Sequence, residues 1–464
     1  MTDRPPEILF TDVEVRGERT DVRVVSDRVA EIGRRLRPNS TDADVVEGRG
    51  GALIPGLHDH HVHLLAMAAA ATSIDLSGAG PTWTARLRGA RPDRSGWIRA
   101  TGLHEVSGDE GTVDRRALDR ARDDVPVRVQ HRGGALWVLN TRALAQLPDI
   151  PGSDGDNGVE RDPSGRRTGR IWRRDDLVRL ASGGVLPSTA DVQRQLRRVG
   201  FTGVTDASPD LDEDAQTHLA TSLSTGADRL RLTLLTANPT VAVSEWVRIG
   251  ARKLHLHDHD LPDPDTLAAR ITQARSVDRA VAVHCVTRQS LVLTLAALEL
   301  AGPVEGDRIE HGFVFPPELA EWAASLGVRV VVQPLLLRDR GDDYLREVEP
   351  QDLDHLHPYA TLLASGLRVA PSSDAPYAPA DPWSTMRASR DRLSARGIRV
   401  GADCGVDPRT ALRGYLSAPD DPGGAPRRVA PGLPADLCLL WTGLDEALSQ
   451  CSADLVRSTW VGGP

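Results

Sequence analysis

From residue 51 onward the chain alternates short apolar runs with helical patterns, and this alternation limits its fold more than any other feature. Strand-type runs stand at GALIPGLH, GVTDA (203–207), RLRLTLLT (229–236), RKLHLHD (252–258), RAVAVHC (279–285), DRIEHGF (307–313), GVRVVVQP (327–334) and GLRVAPSSD (366–374). Helical patterns follow them at SEWVRIGA, PDTLAARITQARS, RQSLVLTLAALELAG, PPELAEWAASLG and WSTMRASRDRLSARG, several of them bounded by Ser or Asp caps and a terminal Gly. Eight strand–helix units are what a (β/α)8 barrel of the TIM type requires. The expected fold is therefore α/β, with the barrel over 53–404 and a long insertion at about 77–195 after the first strand. Residues 1–52 and 405–464 read instead as short strands between Asp/Gly turns, with no long helix. They are expected to complete one small β-sandwich domain together.

In such a barrel, chemistry collects at the C-terminal ends of the strands. His61 and His63 end the first strand, and their two-residue spacing points both to one face, so that both can bind one metal. Lys253 lies on the fourth strand, His284 ends the fifth, His311 ends the sixth and Asp374 ends the eighth. One histidine at a strand end is usually structural. Six metal-type residues at such positions point to a site. His58 and His60 face away from His61 and His63.

The motifs PGLxDxHVHL (55–64), VAVHC (281–285), DRIEHGF (307–313), VQP (332–334) and SSDAP (372–376) resemble the amidohydrolase superfamily. Within it they are similar to amidohydrolase family 3, the branch that includes N-substituted formamide deformylase-like proteins. PVRVQHRGGALWVLNTRAL (126–144), DPSGRRTGRIW (162–172) and the tail GLPADLCLLW carry the same likeness. The resemblance implies a metal-dependent hydrolase of a non-peptide C–N bond (amide, N-acyl or N-formyl), with a metal-bridging hydroxide as nucleophile. It implies His61, His63 and Asp374 on one divalent ion, His284 and His311 on a second, and Asp374 as the catalytic proton shuttle. Zinc suits these ligands best, with manganese or iron as alternatives. Lys253 matches the position that is carboxylated by carbon dioxide and bridges the two metals.

Among the 56 lysines and arginines of this chain, Lys253 is the one lysine. Arg carries the same charge, so charge alone does not account for it. A desolvated amine loses its proton and attacks carbon dioxide, and a guanidinium does not. Asp59 falls in the family pattern and is expected to orient a ligand histidine from behind. His104 and His131 fall at pocket positions where this chain departs from the family, the latter just upstream of Trp137 in the AxW that matches it. His255 and His257, with His259, share the Lys253 face if the strand continues, and line the pocket or the barrel interior.

Three other readings are open. A mononuclear deaminase would place a glutamate shortly after His284, but HCVTRQ holds no acid. An inactive barrel used for binding or assembly would typically have lost ligands, and all are present. Cyclic imide or lactone hydrolysis shares the same machinery. The net charge of −9 and the absence of a basic run argue against nucleic acid as a partner. No apolar run is long enough for a bilayer, and the N-terminus lacks an export signal, so a cytoplasmic protein is expected. Cys285, Cys404, Cys438 and Cys451 show no metal or disulfide spacing. The partner is a small amide-type molecule; a homodimer is compatible with the sequence, which does not fix oligomeric state.

Overall fold

The computed structural model describes residues 6–104, 112–147, 158–402 and 405–462. Cys404 lies outside them; Cys285, Cys438 and Cys451 are free and buried. The chain falls into two compact units, Met1–Leu64 with Thr189–Pro464, and Leu65–Ser188. No helix among the described residues is long and apolar enough to cross a membrane.

The first unit is α/β, and its parallel strands include β1 (Leu57–Val62), β2 (Phe201–Asp206), β3 (Arg231–Leu234), β4 (Arg252–Leu254), β5 (Val281–Cys285), β6 (Arg308–His311), β7 (Arg329–Val332) and β8 (Arg368–Pro371). β1, β2 and β3 pair in order, and β3 pairs with the short strand Val247–Ile249. β4 to β8 pair in order as a second parallel sheet. Two sets of bonds join these sheets. Lys253 N donates to Leu235 O at 2.7 Å just past β3, and Val62 bridges in parallel to Ala375 just past β8. Both faces of the central strands are buried, which is why these segments read as continuous apolar runs.

Side-chain caps set the helix starts. Asp263 accepts from Thr266 N before Pro264–Arg275, and Thr287 and Ser290 form a reciprocal capping box before Arg288–Ala301. One expected helix is absent. SEWVRIGA turns through Ser244, whose Oγ accepts from Trp246 N and Val247 N, and then enters the strand Val247–Ile249. The segment is too short to hold a helix by itself. Trp246 is instead covered by the guanidinium groups of Arg229 and Arg231, at 4.6 and 4.9 Å from its ring.

Both chain ends contribute to one core. Glu7–Val15 lies between Glu18–Val25 and Asp44–Glu47, while Leu53–Pro55 pairs with Leu437–Leu440 and that strand with Val456–Trp460. Phe10, Val13, Val22 and Val24 pack with Val429, Leu437 and Leu439, and Phe10 meets Trp460 edge-on at 4.7 Å.

The second unit is built on a six-stranded sheet running from Val159–Arg161 through Arg167–Trp172, Leu136–Leu139, Val127–His131 and Ile98–Leu103 to Ile74–Asp75. Trp137 is fixed within it: its Nε1 donates to Asp175 Oδ1 at 2.8 Å, with Arg99 and Arg128 over the ring.

Candidate metal centre

β1 and the segment after β8 are locked edge to edge. Asp374 N donates to His61 O, and His63 N donates to Ala375 O, both at 2.9 Å. These bonds set Asp374 between the two histidines: its Oδ1 is 3.2 Å from His63 Nε2 and 3.5 Å from His61 Nε2. Its Oδ2 lies 3.8 Å from His311 Nδ1. Among the described residues, His61, His63 and Asp374 are the group whose possible ligand atoms all lie within 4.8 Å of one another.

The other histidines adjoin this group. The His311 ring is 4.8 Å from that of His61 and 4.5 Å from that of His284, centre to centre. Both Asp374 and His311 hold left-handed backbone, at φ 56° and 72°. Such strain costs about 1–3 kcal/mol per residue and collects at functional sites. At His311 its use is visible. Neighbours on a regular strand face opposite ways, yet Glu310 and His311 both reach His61.

Three histidines of the cluster have one ring nitrogen engaged by the protein. His61 Nδ1 pairs with Glu310 Oε2 at 2.5 Å, His63 Nδ1 with Ser208 Oγ at 3.0 Å and His311 Nδ1 with Gln333 Oε1 at 3.0 Å. Glu310 is itself paired with Arg308, and Gln333 Nε2 donates to Ser372 Oγ at 2.9 Å. Such partners fix tautomer and ring angle, as behind metal-binding imidazoles. Sequence reading missed all three. Glu310 and Gln333 stood inside quoted motifs, adjacent to His311 and Pro334, but a polar residue in a buried strand has no signal of its own until its partner is placed.

Asp59 was expected to orient a ligand histidine, and it meets His61 through the backbone: Oδ1 accepts from His61 N at 3.3 Å and Ser373 N at 3.1 Å, tying β1 to the residue before Asp374. Burial pushes its carboxyl up to about 7.

Lys253 is 3 % exposed, and among the described residues its Nζ has no hydrogen-bond partner. His61 Nε2 shares that condition. Burial lowers the Lys253 ammonium, against the pull of Glu310 and Asp374. It also drives the His61 imidazole down to about 4, His311 down to about 3 and His284 well below its ordinary range, with the Lys253 charge adding to each. All three rings are therefore neutral near pH 7, the form that ligates a metal. Burial alone would raise Asp374, but the His63 hydrogen bond and the adjoining His61 and His311 rings hold it below the usual carboxylate range. Neutral imidazoles, one carboxylate and an unpartnered buried amine make a donor set that fits divalent cations.

The remaining expected positions divide. His255 stacks on His284 at 4.5 Å, and His257 follows it at 4.8 Å. They do not share a face with Lys253 by alternation, because β4 stops at Leu254 and the histidines lie on the loop beyond. His104 and His131 stand 6.4 Å apart in the second unit, as does Trp137 within its own cluster.

Residues 44–464 match the amidohydrolase family. Over 442 residues the chain is 24% identical to YtcJ of Bacillus subtilis (strain 168), an amidohydrolase by name, covering 83% of each protein. It is 24% identical over 468 residues to the N-substituted formamide deformylase of Arthrobacter pascens, covering 86% of this chain and 85% of that one. Its structure resembles that of an uncharacterized metal-dependent hydrolase from Pyrococcus horikoshii OT3, with a TM-score of 0.72 at 19% identity over 94% of this chain and 97% of the other. The chain belongs to the amidohydrolase family and is a metal-dependent hydrolase acting on carbon–nitrogen bonds.

Proposed function

We propose that the protein hydrolyses a non-peptide amide, N-acyl or N-formyl bond of a small molecule at the β1/β8 cluster, with Asp374 carrying the proton. The observation behind this reading is Lys253: the chain's one lysine, buried and unpartnered beside three neutral histidines. The fold that accompanies it is a closed (β/α)8 barrel, supported by the bonds that join the two parallel sheets, with a β-sandwich from both chain ends.

In this reading His61, His63 and Asp374 would hold one zinc-type ion and His284 and His311 a second, and Lys253, carboxylated by carbon dioxide, would supply a further ligand. When bound, such ions acidify water and polarise a carbonyl. The protein's own part is positioning. Glu310, Ser208 and Gln333 turn His61, His63 and His311 by their Nδ1 atoms. Asp59 holds the backbone on which His61 and Asp374 sit. Asp374 takes a proton from the attacking water and passes it to the departing nitrogen as the C–N bond breaks. The deformylase among its relatives makes N-substituted formamides the first substrates to try.

Asp374→Asn tests the proton role. It is expected to keep its metal content while kcat falls at least about a hundredfold, the usual scale of general acid–base catalysis. Near-normal kcat in that variant contradicts the assignment.

A further inference from the structure

The histidines at 255, 257 and 259 have no part in the reaction above. They alternate with Leu256, 2 % exposed, and Asp258, whose Oδ1 accepts from Thr287 Oγ1 at 2.5 Å at the start of the helix Arg288–Ala301. Asp260 N closes a turn onto His257 O at 2.8 Å. Pinned from the inside by Leu256 and from the side by Asp258, the loop sets its three imidazoles in a file. The ring centres are 4.8 Å apart for His255 and His257, and 5.9 Å for His257 and His259. The His61–His63 pair, at 5.3 Å, falls between these values. At the other end His255, itself exposed, lies flat on His284, at 4.5 Å and 28°. His284 in turn meets His311. A row of imidazoles thus runs from His259 through half-buried His257 to His255, the first and last of these exposed, and on through half-buried His284 to the buried His311.

We propose that His255, His257 and His259 form an outer site for one divalent transition-metal ion, from which ions are passed to the buried centre. Imidazole is the side chain that zinc, nickel and copper share as a favoured ligand, and three such donors leave coordination positions open for exchange. The loop does not yet hold three ligand atoms within 4.8 Å of each other, as the inner group does. It must draw in around the ion, so the outer ion binds more weakly than the inner ones. The file geometry supplies the transfer: an ion leaving His255 has the next imidazole, His284, stacked against it.

The delivery role rests on the inner centre of the proposed function, whereas the outer site itself does not. Metal-free full-length protein is titrated with Co2+, followed by its visible spectrum and by metal analysis after desalting. The proteins compared are wild type, His259→Ala at an exposed position, the double variant His257→Gln/His259→Gln, and His61→Ala. Wild type is expected to take up one weak equivalent that both loop variants lose and His61→Ala keeps. At limiting Co2+ the inner ions should load several-fold more slowly in the double variant, while reaching the same final content. Equal stoichiometry in wild type and both loop variants overturns the outer site. Loss of the weak ion with unchanged loading rate overturns delivery. A wild type that binds only the weak ion contradicts the proposed function and leaves the outer site standing.

Discussion

β1 and its next residue carry four histidines in six positions, and the two pairs have opposite fates. His58 and His60 face the packing side: His58 Nε2 bonds Thr205 Oγ1 at 2.8 Å, and His60 Nε2 bonds Gly414 O and Ser417 Oγ, each at 3.1 Å. Gly203 makes room for the first of them, since a Cβ there would sit 2.7 Å from His58 Nδ1. His61 and His63 face the strand ends, where Asp374, His311 and Lys253 arrive from other strands. Burial and an unbonded nitrogen do not separate the pairs, because His60 Nδ1 and His61 Nε2 both lack a partner among the described residues. What separates them is convergence. Around His61 the Asp374 carboxylate and the His63 and His311 imidazoles gather from three chain segments; around His60 the neighbours are the His58 ring of its own strand, a backbone carbonyl and a hydroxyl. A site is defined by the groups that meet there.

That contrast can be broken most severely at His61. His61→Ala is expected to lose bound metal and fall to background activity, while His58→Ala keeps its metal. Metal analysis of the two purified variants side by side checks this, and equal metal content would erase the distinction between the faces.

A smaller effect is expected one step behind the ligands. Glu310→Gln leaves every ligand in place but removes the carboxylate that fixes His61. Metal affinity should drop about 10–100-fold, the usual cost of losing such a partner. Chelator competition measures it. An unchanged affinity would mean that His61 is oriented by packing alone.

On the packing side the expected loss is one of stability. His60→Gln should cost about 1–3 kcal/mol in denaturant unfolding, from imperfectly replaced buried hydrogen bonds, with metal content unchanged. Burial holds the His60 imidazole down to about 3 against an ordinary 6.5, so between those values the unfolded chain binds the extra proton. Wild-type stability from this group therefore falls as pH drops below 6.5, and the gap to the Gln variant should narrow in acid. Unfolding curves at pH 7.5 and 5.5 decide the sign.

How much of this was legible beforehand follows from what each signal depends on. The eight strands and the residues at their ends were readable because buried parallel strands are apolar throughout, so His61, His284, His311 and Asp374 stand out against Val and Ala. The alternation rule placed His58 and His60 on the other face correctly. The same rule failed beyond Leu254, where the strand ends and the loop histidines follow no period. Glu310 was hidden because alternation gives one face to only one of two neighbours, and the left-handed backbone that lets His311 join Glu310 at His61 is announced by no local pattern. Gln333 and Ser208 are bound to ring nitrogens on β6 and just past β1, contacts long-range in sequence. SEWVRIGA misled because its apolar spacing suits a helix, whereas Trp246 is held by Arg231 of the preceding strand and Arg229 just before it.

The account depends most on why one lysine is kept at residue 253. Lys253→Arg preserves charge and approximate length but cannot form a carbamate, and it sets a fixed cation among the proposed ligands. The measurement is metal ions per chain together with kcat, for wild type and Lys253→Arg, each reconstituted from the metal-free state with and without bicarbonate. The account predicts about two ions in wild type, as in two-metal hydrolytic sites, faster recovery with bicarbonate, and neither metals nor turnover in the Arg variant. A Lys253→Arg protein with wild-type metal content and full activity would contradict it.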